Sequence, residues 1–154
     1  MRVVIQRVRK ASVNIDNECI SSINEGLLLL VGIEDADSEA DIIYSAKKII
    51  NMRIFSDQDK KMNLSVRDIT GDILSVSQFT LFADTKKGNR PSFTKAGAPS
   101  HAKNMYNKFN EILSKELGKE VQAGVFGADM EVNLFNDGPV TILFDSKINQ
   151  GKPD

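Results

Sequence analysis

Three stretches decide the fold: Met1-Arg2-Val3-Val4-Ile5-Gln6-Arg7-Val8, Ser12-Val13-Asn14-Ile15 and Leu27-Leu28-Leu29-Leu30-Val31. In the first two, apolar residues (Val3, Ile5, Val8, Val13, Ile15) recur at strand spacing among polar ones. The third is a continuous apolar run ended by Gly32, which reads as a strand. Between them, Cys19-Ile20 leads into a polar turn over 21–26. Working outward, Ser38 is placed to cap a helix, and Glu39 and Asp41 suit the positive end of its dipole. Ile42, Ile43, Ala46, Ile49 and Ile50 follow at helical spacing, so the helix is predicted over 38–52. Asp57-Gln58-Asp59-Lys60 reads as a turn, 72–82 as a strand, and 86–99 as a loop punctuated by Gly88, Pro91, Gly97 and Pro99. A second amphipathic helix is predicted over 100–117, with Ala102, Met105, Tyr106, Phe109, Ile112, Leu113 and Leu117 as its apolar stripe and Gly118 as its stop. Met130–Leu134 and Val140–Phe144 then read as a hairpin turned by Asn136-Asp137-Gly138-Pro139. Strands cluster instead of alternating with helices. The expected class is α+β: a mostly antiparallel, barrel-like sheet with two amphipathic helices packed on it.

The chain has 154 residues, of which 41% are hydrophobic and 27% charged. That length fits one domain, here 1–146, followed by a polar tail over 147–154 expected to fray. The longest apolar run is far short of the ~18 residues of a membrane span, and the opening residues read as a strand, not a signal peptide. A single cysteine, Cys19, excludes an internal disulfide framework, and the expected location is the cytoplasm. The net charge of −1 excludes a globally basic nucleic-acid glove. Two windows nevertheless hold bases without acids: 1–10, with Arg2, Arg7, Arg9 and Lys10, and 86–95, with Lys86, Lys87, Arg90 and Lys95. Either is a solvated surface or a phosphate-binding patch.

Familiar catalytic sets are thin. His101 stands beside Ser100, and sequence neighbours do not make a nucleophile and base by themselves, so an exposed helix-start histidine is expected. Cys19 has no adjacent cation to activate it and is expected to be a buried structural thiol. No phosphate-binding glycine loop or zinc-ligand spacing is present, so neither metal nor cofactor is expected. Two segments are odder. Ser77-Gln78-Phe79-Thr80 puts three hydrogen-bonding residues in a predicted strand, as an edge strand with a wet face or as a polar ridge at a ligand site. Asn136-Asp137-Gly138-Pro139-Val140-Thr141 is a turn on any reading, and X–Pro bonds are cis in only about 5–6% of cases.

Together these two segments resemble the signature motifs of the D-aminoacyl-tRNA deacylases. The resemblance runs along nearly the whole chain, through the opening 1–8, Asn89-Arg90-Pro91-Ser92-Phe93 and Gly127-Ala128-Asp129-Met130. It implies a homodimer that hydrolyses the ester joining a D-amino acid, or glycine, to the 3′-terminal ribose of tRNA, as a proofreading step of translation. It implies a catalytic strip of Ser77, Gln78, Phe79 and Thr80. Gly138, Pro139, Arg7, Thr141 and Met130 would bind substrate, the Gly138–Pro139 bond being cis and inserted into the partner's site. Two carbonyls on one side of that bond would hold the α-ammonium and reject an L-side chain, with Arg7 bracing the dipeptide. Lys86, Lys87 and Arg90 are expected to meet tRNA phosphates, with the N-terminal arginines as a second candidate patch. The partners expected are tRNA and a second copy of the chain, not membrane or DNA.

An aminoacyl ester is already activated. Holding it and donating to its oxyanion, for example from the Phe79 N–H, can suffice without a triad. Thr80 as nucleophile is an open alternative. From other classes, a non-catalytic nucleic-acid-binding β module and a hydrolase of another activated ester also remain open.

Overall fold

A computed structural model of the protein describes residues 1–149. Strand β1 (Arg2–Ile15) is the axis of the sheet. On one side its first half pairs with β3 (Gly26–Gly32) and its second half with β2 (Glu18–Ile23). The β1–β2 turn is made by Asp16 and Asn17, whose φ values of 49° and 64° match the twist of a tight hairpin. On its other side β1 pairs along its length with β8 (Glu131–Asp145). These ladders are antiparallel, as expected. The sheet then continues with parallel pairs: β3 with β6 (Asp72–Ser77), and β6 with the short β7 (Gln122–Ala123). The crossover between β3 and β6 carries α1 (Glu39–Ile50) and the small β4 (Phe55–Ser56) and β5 (Met62–Leu64) pair. The sheet curls until it is nearly closed, and the Ser21 hydroxyl on β2 donates to the Ala123 carbonyl on β7 at 2.9 Å across the gap.

The apolar run of β3 serves two cores. Leu27, Leu29 and Val31 face α1 and α2 (Pro99–Leu117), where Ile42, Ile49, Tyr106 and Phe109 pack. Leu28 faces the inside of the curl with Val8, Val13, Leu74 and Val76. The cap of α1 is as read: the Ser38 hydroxyl and backbone N–H both meet Asp41, in a reciprocal capping box. Burial would raise the Asp41 carboxyl, but the Ser38 hydrogen bonds and the Lys147 ammonium at 3.2 Å hold it well below the usual carboxylate range.

Four expectations are corrected. The 21–26 turn is shorter, because Ser21–Ile23 still pair with β1. The strand predicted over 72–82 ends at Ser77, and Phe79–Phe82 form a 3₁₀ turn. The 131–145 segment is no hairpin but one strand: β1 is long enough to pair with both halves, and register shifts between Gln6 and Lys10 absorb the Asn-Asp-Gly-Pro residues as a bulge. Cys19 is exposed, since it lies near the hairpin tip that overhangs the core, and its thiol donates to the Ser21 carbonyl at 3.6 Å. Of the tail, Ser146–Asn149 form a short α3, in which Lys147 reaches the Ala36 carbonyl and Asp41. Residues 150–154, expected to fray, lie outside the described residues.

Candidate active site

A cleft of about 590 Å³ opens where β6 ends, within the usual size of small-molecule sites. Parallel strands present their C-terminal ends here, and β7 covers only Leu74 and Ser75, so β6 emerges beyond it paired with β3 alone. The last ladder bond runs from the Gln78 N–H to the Val31 carbonyl at 2.7 Å. The chain then winds into the 3₁₀ turn, and no side chain caps that turn at Gln78. Its first N–H groups, those of Phe79 and Thr80, have no acceptor within the turn itself, as at any helical start.

Ser77, Gln78 and Phe79 line one wall of the cleft. The opposite side is Phe126 to Met130, and α2 contributes Ala102 and Tyr106. The Tyr106 hydroxyl donates to the Ser75 carbonyl at 2.8 Å, fixing α2 against the strand that carries Ser77. Burial pushes the Tyr106 phenol up, outweighing its hydrogen bonds to Asn110 and Ser75, so it remains a donor at neutral pH. Thr80 is half-buried beside the cleft, and its Oγ1 accepts from Gln78 Nε2 at 2.5 Å. An amide is a donor there and not a base. His101 does not line the cleft and is half-buried, correcting the expectation of an exposed residue; its Nε2 is buried with no hydrogen-bond partner among the described residues. No group of three or more His, Cys, Asp or Glu side chains suited to a metal ion is found among the described residues.

The structure brings Ser77, Gln78, Phe79 and Met130 together in the cleft but not Arg7, Gly138, Pro139 or Thr141. Those four form a second cluster on the β1–β8 face. Gly138, Pro139 and Thr141 are exposed, and the Gly138–Pro139 peptide is cis. Arg7 is 8% exposed. It donates to the Asp137 carbonyl at 3.1 Å and the Ile54 carbonyl at 2.8 Å, so it grips the backbone one residue ahead of the dipeptide. Its Nε also lies 3.4 Å from the Asp137 carboxylate.

Lys86, Lys87 and Arg90 stand exposed on a loop whose base is closed by two backbone hydrogen bonds between Asp84 and Ser92, of 2.7 and 2.9 Å. The Lys86 backbone N–H and the Lys95 ammonium hold the Asp84 carboxyl below its ordinary range, securing that base. The loop adjoins the cleft through Phe93, which meets Phe79 edge to face with ring centroids 5.2 Å apart. The other basic window is largely committed: Arg2 pairs with Asp145 and the Leu81 carbonyl, and Arg7 is buried. Sequence reasoning missed Tyr106, Ala102 and Phe126 as cleft residues. The two on α2 belong to a stripe that reads as core, and only the turn at Gly127, with φ of 78°, marks the segment beside Phe126.

Comparison with known proteins adds the following. A family described as D-Tyr-tRNA(Tyr) deacylase matches residues 4–145. Among solved structures, one named c-Myc DNA unwinding element binding protein is 42% identical, with a TM-score of 0.87 over 94% of this chain and 98% of that one. A probable eukaryotic D-amino acid tRNA deacylase shares the fold, with a TM-score of 0.80 at 18% identity over 93% of this chain and 97% of that one.

Proposed function

Since the chain belongs to the D-Tyr-tRNA(Tyr) deacylase family, a family of D-aminoacyl-tRNA hydrolases, we propose that its cleft cleaves the ester between a D-amino acid and the 3′-terminal ribose. The carrying observation is the Ser77-Gln78-Phe79 wall, which ends in an uncapped helical turn beside an open cleft. The ester carbonyl sits against the Phe79 N–H, which stabilises the oxyanion as water attacks. The ribose 2′-hydroxyl assists that water, and the 3′-oxygen leaves with a proton. Gln78 and Thr80 orient the substrate. Glycine, lacking a side chain, is accepted as well, and removal of both kinds of residue serves translational proofreading in the cytoplasm.

The separation of the two residue clusters supports a homodimer. Gly138 and Pro139 protrude from one subunit and enter the partner's cleft, where their carbonyls accept from the substrate α-ammonium. Thr141 and Met130 flank the substrate from the two subunits. An L-side chain would meet those carbonyls, while a D-side chain points to solvent, so the side chain's identity matters little.

Two outcomes are expected. Because Thr80 Oγ1 faces an amide donor and no base, Thr80→Ala keeps ester release within about tenfold, the usual scale of lost positioning. A loss beyond about a thousandfold in single-turnover rates would make Thr80 the nucleophile. Replacing Lys86 and Lys87 together by alanine weakens binding to all tRNAs alike. It lowers the slope of log affinity against log salt by about 1.5, since two phosphate contacts disappear. An effect on one tRNA sequence alone would mean that these residues read bases.

The name of the 42%-identical relative favours a second reading, a nucleic-acid-binding module without catalysis. Following free amino acid from D-aminoacyl-tRNA separates the two. RNA bound with no ester released would favour the module.

A further inference from the structure

Phe79 and Phe93 are both large apolar side chains left exposed, at 58% and 38%, yet they face each other edge to face at 5.2 Å. They come from different segments. Phe79 opens the 3₁₀ turn, Phe93 ends the returning arm of the basic loop, and both line the cleft. The outgoing arm is tied to the turn by the chain itself, through Phe82 and Ala83. The returning arm is held at its base by the Asp84–Ser92 bridge, and beyond that bridge Phe93 is its contact with the turn. The turn does not need Phe93 for its own shape. Its backbone is fixed by hydrogen bonds from Gln78 to Val31, from Leu81 to Gln78 and from Ala83 to Thr80.

We infer that Phe93 is a positioning residue that registers the phosphate-binding loop against the catalytic turn, so that a tRNA held at Lys86, Lys87 and Arg90 delivers its 3′-end to the Phe79 N–H. The inference rests on the deacylase reading of the cleft. Its physical basis is the steep dependence of rate on placement: an ångström of misplacement costs far more in turnover than in affinity. Loosening the loop leaves its charges able to bind phosphate but blurs where the ester arrives. A short ester with no tRNA body makes no use of that registration.

The test compares full-length D-aminoacyl-tRNA with the corresponding D-aminoacyl-adenosine. Phe93→Ala is expected to lower kcat on the full-length substrate about tenfold. Its Kd for uncharged tRNA should stay within about twofold of the parent, and its kcat on the short ester, which meets Phe93 only as part of the cleft wall, should fall by no more than about threefold. Phe93→Tyr, which keeps the edge-to-face contact, should restore the full-length rate. Equal losses on both substrates would overturn the inference, because Phe93 would then merely support the cleft. A weakened Kd with unchanged kcat would overturn it too, making Phe93 an RNA contact. If the parent protein releases amino acid from neither ester, the deacylase reading itself has failed.

Discussion

Gly138→Ala is expected to cut hydrolysis of D-aminoacyl-tRNA by at least about a hundredfold, on the scale of losing a principal substrate hydrogen bond. Gly138 has φ of +122°, a backbone conformation that side-chain-bearing L-residues rarely adopt. A Cβ there would lie 3.0 Å from an Arg7 guanidinium nitrogen and 3.1 Å from Val140 Cγ2. Neither neighbour is free to give way, since Arg7 is held by two carbonyls and Val140 is half-buried. The strain of such a residue is about 1–3 kcal/mol, and rotating the backbone to relieve it moves the carbonyls of 138 and 139. The substituted methyl would also project where the substrate Cα must come. Because the dipeptide is exposed in the single chain, the fold should survive: an unchanged circular dichroism spectrum with lost turnover is the expected pair of results. Retained turnover would remove Gly138 from the substrate site.

Arg7→Ala is expected to destabilise the protein by about 3 kcal/mol, the cost of removing a charged donor from two carbonyls, one of them buried. For a chain of this length that lowers Tm by roughly 6–12 °C, measurable by calorimetry. The side chain crosses from β1 to two places far apart in sequence, the Ile54 carbonyl after α1 and the Asp137 carbonyl on β8. Its loss strands both carbonyls and leaves the Asp137 carboxylate with only the exposed Arg9, at 3.7 Å. It also frees the segment that leads into Gly138, so turnover should fall with stability. Arg7→Lys should rescue little, because a single ammonium does not reproduce a planar fork spanning two carbonyls. A variant with parental Tm would show that Arg7 braces nothing.

The sequence was most legible where one local signal had no competitor. Ser38 and Asp41 announced the start of α1, and the stripe from Ala102 to Leu117 announced α2. The run Leu27–Val31 announced a strand, although neither that it would serve two cores nor that its second neighbour would be parallel. The legible part failed where tertiary partners overrode local chemistry. Asn136-Asp137-Gly138-Pro139 has every property of a hairpin turn, but the fourteen residues of β1 offered both flanks a partner, and a bulge cost less than a fold-back. Phe79-Thr80-Leu81-Phe82 reads as strand, yet pairing with β7 ends at Ser75 and with β3 at Ser77, so the strand runs out of partners and the chain coils. Of the site, the polar wall was legible from its unusual hydrogen-bonding residues. The apolar wall was not, since Tyr106 carries the same periodic signal as Phe109 behind it, and which of them meets a cleft depends on where the sheet ends.

The central claim is that this cleft discriminates by chirality at the α-carbon and not by the side chain. The direct measurement is single-turnover release of amino acid from one tRNA charged in turn with the D and the L form of the same residue. The account predicts rapid release from the D ester, and release from the L ester at least about a hundredfold slower, as a steric exclusion of about 3 kcal/mol requires. Equal release from the two esters would contradict it.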